Sequence, residues 1–189
     1  MHQMAESQGG NIVRYDRRDG QRKDIKPLNK KGEPDYRFNW NTPIQLSPND
    51  EERLYVGAQF LFVSEDRGDT WTKISPDLTT NNPDKQRQAK SGGLSIDNST
   101  AENNTTIYAI AESPKDEKVI WVGTDDGNVQ VTQDGGKNWT NTVENMPDLP
   151  TGLWVSHIEA SRFDRNTAYV TIDGHKSGNK TNYVLKPTE

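Results

Sequence analysis

The sequence predicts an all-β fold: a partial β-propeller of about three four-stranded antiparallel blades, with tight turns at the rim. Three observations carry this reading. Five Trp, six Tyr and four Phe sit inside short β-patterned runs separated by polar turns, as in an all-β protein of short strands. A hairpin motif recurs three times in register. A second motif, at the outer turn, occurs twice inside that repeat. The step from Ser113 to Ser161 is near the ~40–50 residues of one propeller blade.

The hairpin motif lies at residues 47–56, 113–122 and 161–170. Each copy reads Ser-x-x-Asp-x-x-x, then a small or apolar residue, an aromatic and Val, and the three align without a gap. The acids are Asp50, Asp116 and Asp164; the aromatics are Tyr55, Trp121 and Tyr169. An alternating run precedes each copy, at residues 42–46, 107–111 and 155–160, and period-two alternation marks a strand. Ser and Asp side chains bond nearby backbone groups, so Ser-x-x-Asp is the turn and the aromatic-Val piece the returning strand.

An outer pair follows: residues 60–63 with 71–74 in one unit, and 128–131 with 139–142 in the next. Four antiparallel strands make a propeller blade. The organisation is therefore as follows. Residues 1–37 are an outer hairpin of an incomplete blade plus a link. Residues 38–80 are a blade, 81–104 a polar linker or lid loop, and 105–150 a second blade. Residues 151–189 are an incomplete blade. A ring needs at least about four blades, so the chain reads as a slice of a propeller. Its expected partners are the remaining blades of a parent propeller or a second copy at the open ends. No polar cap of the kind repeat proteins use is evident.

The turn of the outer pair is Ser64-Glu65-Asp66-Arg67-Gly68-Asp69-Thr70-Trp71 in one blade and Thr132-Gln133-Asp134-Gly135-Gly136-Lys137-Asn138-Trp139 in the next. Asp66 and Asp134 accept N–H groups within the turn, with Ser64 and Thr132 adding local bonds. Gly68 and Gly136 take a positive φ, and each indole folds back between strands. This resembles the Asp-box, or bacterial neuraminidase repeat, of sialidases and other propellers. That resemblance implies a structural turn lying away from the ligand. Calcium binding by the same oxygens is the lesser reading.

Further runs extend the likeness: Ala5-Glu6-Ser7-Gln8-Gly9-Gly10-Asn11-Ile12, Phe38-Asn39-Trp40-Asn41-Thr42-Pro43-Ile44, Ile74-Ser75-Pro76-Asp77-Leu78-Thr79, Trp121-Val122-Gly123-Thr124-Asp125-Asp126-Gly127-Asn128-Val129-Gln130 and Trp154-Val155-Ser156-His157-Ile158-Glu159-Ala160-Ser161. Over nearly its whole length the chain resembles large bacterial proteins of the glycosyl hydrolase type with sortilin-type propellers. The resemblance implies a longer, exported parent, periplasmic or extracellular. Residues 1–10 carry no basic start and no apolar core, so no secretory signal is read in this chain.

Composition narrows the function classes. The chain has no Cys, which excludes disulfides, thiolate metal sites and cysteine catalysis. Its net charge of -5 argues against nucleic acid, which rewards basic patches. No apolar run nears the roughly 20 residues of a membrane-spanning helix, so no membrane insertion is expected. Three His without a His-x-x-x-His pair support no zinc site. No Gly-rich phosphate loop is present, and no cofactor is expected.

Strand reversal places Ser-x-x-Asp and the rim turns on one face of the slice. The opposite, loop-built face is where propeller ligands sit. It receives Asp125 and Asp126, Asp173 and His175, and the links holding Trp40 and Trp154. Paired acids can protonate a leaving oxygen and activate water, and Trp offers a plate to a sugar ring. Yet Asp125-Asp126-Gly127-Asn128 also reads as a hairpin turn, and the two Trp also read as core packing. A lone His157 reads as a satisfied core residue. Two functions follow: a non-catalytic interaction or scaffold module binding protein or glycan at the loop face, or part of a glycoside hydrolase acting on polysaccharide through Asp125 and Asp126.

Overall fold

The structure, a computed structural model, describes residues 2–87, 103–146 and 149–186. Most of the predicted 81–104 linker, residues 88–102, lies outside them. Among the described residues fourteen strands build four antiparallel sheets. The first sheet holds β1 (His2–Ser7), β2 (Asn11–Asp16) and β3 (Arg22–Asp24). The second holds β4 (Ile44–Leu46), β5 (Leu54–Gly57), β6 (Leu61–Ser64) and β7 (Thr72–Lys73). The third holds β8 (Ile107–Ser113), β9 (Asp116–Thr124), β10 (Val129–Thr132) and β11 (Thr140–Asn141). The fourth holds β12 (Trp154–Ala160), β13 (Ala168–Asp173) and β14 (Tyr183–Leu185).

Neighbours within each sheet follow chain order, which is the meander of a propeller blade. The hairpin repeat pairs as expected: Tyr55 opposite Gln45, Trp121 opposite Ala111, Tyr169 opposite Glu159. One strand departs from the sequence reading. The N-terminal unit is not a bare outer hairpin, because β1 pairs with β2 over six residues, His2 with Asp16 through Ser7 with Asn11. The first sheet thus has the last three strands of a blade.

Three apolar clusters stack the sheets. Ile12, Ile25 and Phe38 meet Leu54, Val56 and Phe62 between the first two. Tyr55, Leu61 and Leu78 meet Ile107, Ile120 and Val122 between the second and third. Val119, Trp121, Val129 and Val131 meet Val155, Ile158, Val170 and Ile172 between the third and fourth. A strand with neighbours on both faces is apolar on both, which is why β5 and the end of β9 are buried throughout.

Glycine sets how closely the sheets approach. A Cβ at Gly57 would lie 2.6 Å from the Ile107 side chain, and one at Gly123 would lie 2.2 Å from Val155. Each glycine ends an aromatic-Val-Gly run and seats a β-branched residue of the next sheet. In the fourth sheet Thr171 occupies that position.

The two rim turns have the same geometry. Ser64 Oγ accepts the Gly68 N–H at 2.7 Å, and Asp66 accepts the Thr70 N–H at 2.8 Å and the Thr70 hydroxyl at 2.7 Å. In the other copy Thr132 Oγ1 accepts the Gly136 N–H, and Asp134 accepts the Asn138 N–H and amide. Gly68 and Gly136 have φ of 92° and 96°, where side chains are strained. The indoles differ from expectation. Trp71 and Trp139 are half-buried, and each reaches the preceding sheet rather than burying between its own strands. Trp71 Nε1 donates to Ile25 O at 2.7 Å, and Trp139 Nε1 is shared between Gly136 O of its own turn at 3.1 Å and Ile74 O at 3.3 Å. The rim turn is an inter-sheet pin.

Candidate functional site

The loop-built face collects the starts of β4, β8 and β12 and the ends of β5, β9 and β13. Trp40, in the link into β4, is 41% exposed. Trp154 opens β12 half-buried, and its ring meets Tyr108 of β8 with centroids 5.1 Å apart at 64°. Asn41 Nδ2 donates to Tyr108 Oη at 3.5 Å. The residues Trp40, Asn41, Tyr108 and Trp154 therefore form an arc across three sheets. Its far end is closed by Lys176, whose Nζ lies 3.1 Å above the Trp154 ring.

Beside Trp40 a hollow of about 720 Å³ opens between the β1–β2 turn and the link into β4; Glu6, Lys26, Tyr36, Phe38 and Asn41 are among its walls. Gly10 makes room for this wall, since a Cβ there would sit 2.4 Å from the Phe38 ring. Glu6 accepts the Thr42 N–H at 3.3 Å. Burial raises its carboxyl above the ordinary range, and that bond offsets only part of the rise. Lys26 donates to Gly9 O at 2.7 Å, lies 4.8 Å over the Phe38 ring, and is lowered by burial. Sequence reasoning missed Glu6, Lys26 and Tyr108. The contacts that bring them together join distant parts of the chain.

The structure places the residues read from sequence unevenly. Trp40, Asp173 and His175 are exposed and Trp154 is half-exposed, so all four present surface on this face. Asp173 also caps the turn after β13, accepting the His175 N–H at 2.7 Å. Asp125 and Asp126 do not present surface, being 1% and 2% exposed. Asp125 accepts the Thr106 N–H at 2.8 Å, the Thr106 hydroxyl at 2.7 Å and Asn39 Nδ2 at 3.0 Å. Asp126 accepts the Thr80 N–H at 2.7 Å and the hydroxyls of Thr80 and Thr124, both at 2.5 Å. The expectation that this pair lines an open cleft is corrected. Every carboxylate oxygen is turned inward and accepts at least one hydrogen bond that ties neighbouring segments together.

His157 is also corrected: it is an exposed residue 3.9 Å from Glu159 on the free side of the fourth sheet, not a core histidine. Among the described residues no group of three or more His, Asp or Glu side chains could hold a metal ion. Asp66 and Asp134 spend their oxygens on their own turns. Desolvation works to raise Asp66, but the Thr70 and Ser64 bonds outweigh it and hold the carboxyl at about 2. The Asn138 N–H and amide lead in holding Asp134 at about 2.

Asp125 carries a pH consequence. Desolvation is the largest influence on it, followed by the Thr106 and Asn39 bonds that oppose it and the Asp126 charge that adds to it; the carboxyl is pushed up to about 7. A folded-state value above the unfolded ~3.9 means that this group's stabilising contribution is complete below pH ~4. It is lost as pH rises through about 7. Glu6 acts in the same direction, whereas Asp66 and Asp134 lose their contribution only in acid. The thermal midpoint should therefore fall between pH 5 and pH 8, and Asp125→Asn should flatten that slope. Midpoints measured at half-unit pH steps check this; an unchanged slope in the variant would assign it elsewhere.

No family model matches the chain. It is 28% identical over 138 residues to an oligoxyloglucan-reducing end-specific xyloglucanase of Emericella nidulans, an alignment covering 68% of this chain and 15% of that protein. Among solved structures, a GH74 enzyme of Niastella koreensis matches all of this chain and 26% of its own, with TM-score 0.61 and 14% identity. An ancestral GH74 enzyme matches 98% of this chain and 21% of its own, with TM-score 0.59 and 15% identity. These likenesses show the fold, a partial β-propeller like those of glycosyl hydrolases. The chain spans about a quarter or less of the length of these three proteins. No helix among the described residues is long and apolar enough to cross a membrane.

Proposed function

We propose that this chain is a non-catalytic, glycan-binding part of an exported, polysaccharide-acting β-propeller protein, and that the saccharide lies along the loop face. One observation carries the reading: the exposed Trp40, the Tyr108–Trp154 pair and the intervening Asn41 form a continuous arc beside an open hollow. Aromatic rings joined by amide groups suit a sugar chain, which offers apolar ring faces and hydroxyls in alternation. The xyloglucan named for the curated relative makes a β-glucan the first ligand to try. The inward-turned Asp125 and Asp126 oppose the hydrolase alternative, because a glycosidase needs two carboxyls about 5–10 Å apart across a cleft. The sortilin-type resemblance supports the exported scaffold.

The test is calorimetry with xyloglucan and cello-oligosaccharides. Binding should be measurable, and Trp40→Ala should weaken it about ten-fold, the loss of ~1.4 kcal/mol of contact. Hydrolysis by the chain alone, abolished in Asp125→Asn, would replace this reading with the enzymatic one.

A further inference from the structure

Among the described residues, the cation at the end of the aromatic arc has a ring as its near neighbour rather than a carboxylate. Lys176 lies in the short turn His175–Ser177 that follows β13. Its ammonium sits 3.1 Å over Trp154, and among the described residues no carboxylate comes within ion-pair distance of it. Asp173 is turned to the His175 N–H, and Asp125 is occupied by Thr106 and Asn39. Both act on Lys176 only through space, and burial lowers the ammonium despite them. The face of Trp154 that Lys176 covers is one that a sugar ring would need, while Tyr108 packs against the same indole.

We propose that the Trp154–Lys176 corner is a subsite for a carboxylate-bearing sugar, a uronate residue of a polysaccharide. This rests on the glycan-binding reading above and names the ligand class at one end of the arc. A neutral sugar entering here must displace the ammonium from the indole and lose a cation–π contact. A uronate draws the ammonium onto its own carboxylate, a charge-assisted hydrogen bond, and leaves the uncovered indole for its ring. Lys176 is thus a specificity-determining residue that admits an acidic sugar and obstructs a neutral one.

The experiment compares oligogalacturonate with cello-oligosaccharide of equal length by calorimetry, at low and high salt. In the unsubstituted chain the uronate oligomer should bind about ten-fold tighter at low salt, and the advantage should shrink at high salt because the charge is screened. Lys176→Met keeps an unbranched stem but removes the charge; it should abolish the preference and strengthen neutral binding. Equal affinities in the unsubstituted chain, or an unaltered ratio in Lys176→Met, would overturn the proposal while leaving glycan binding intact. Binding of neither oligomer, with xyloglucan also inert, would overturn both.

Discussion

Gly123→Ala should destabilise the chain by about 2–3 kcal/mol, the range of a core overpacking change, although it adds a single methyl. The added Cβ would lie 2.2 Å from Val155 Cγ1, 2.7 Å from Val155 Cβ and 3.2 Å from Ile158 Cδ1. The Ile158 methyl can swing aside, but the two Val155 atoms sit on a short β-branched side chain with little freedom to move. Both residues belong to β12 and are buried against Trp121 and Val119 of β9, so relief requires the fourth sheet to move away from the third. That movement opens the cluster holding them together. The compensating double variant Gly123→Ala/Val155→Ala isolates the effect. If the glycine serves as the seat of Val155, the double variant should be more stable than the sum of its single changes predicts, by 1 kcal/mol or more, since contacting residues couple on this scale. Urea denaturation of the four proteins checks it; strict additivity would show that Gly123 acts through backbone freedom instead.

This glycine shows what was legible in the sequence and what was not. The aromatic-Val repeat fixed strand register at Tyr55, Trp121 and Tyr169, because period-two alternation between turns is a local property. The rim turns were legible for the same reason: their hydrogen bonds span four residues or fewer. Strand β1 was missed because its residues, His2 to Ser7, include no β-branched side chain. What holds it is pairing with β2, where tertiary context overrides propensity. The direction of Trp71 and Trp139 was missed because the carbonyls they reach, Ile25 and Ile74, belong to another sheet. The candidate face was half legible. Turn geometry put Trp40, Trp154, Asp173 and His175 on one side. Whether Asp125 and Asp126 look out or in depended on Asn39, Thr80 and Thr106, which lie 86, 46 and 19 residues away.

Asp126→Ala is the second large effect, with an expected loss of about 3 kcal/mol or more, typical of removing one partner from a buried charged network. The carboxylate accepts the Thr80 N–H and hydroxyl on one oxygen and the Thr124 hydroxyl on the other. Alanine leaves those donors facing one another across an emptied space. Thr124 in turn holds the β9–β10 turn by accepting the Asn128 N–H at 2.8 Å, so the damage spreads from the inter-sheet tie to the hairpin itself. Asp126→Asn should cost less. Its carbonyl oxygen can keep both Thr80 bonds, and only the Thr124 hydroxyl must find a new acceptor. The two variants therefore separate structure from chemistry. A structural tie gives a graded loss of denaturation midpoint, alanine well below asparagine, with oligosaccharide affinity held in whatever fraction stays folded. A reacting carboxylate gives the reverse: asparagine, which preserves the fold best, would abolish function as thoroughly as alanine. Because all the Asp126 contacts run inward, the graded loss is the outcome the packing demands.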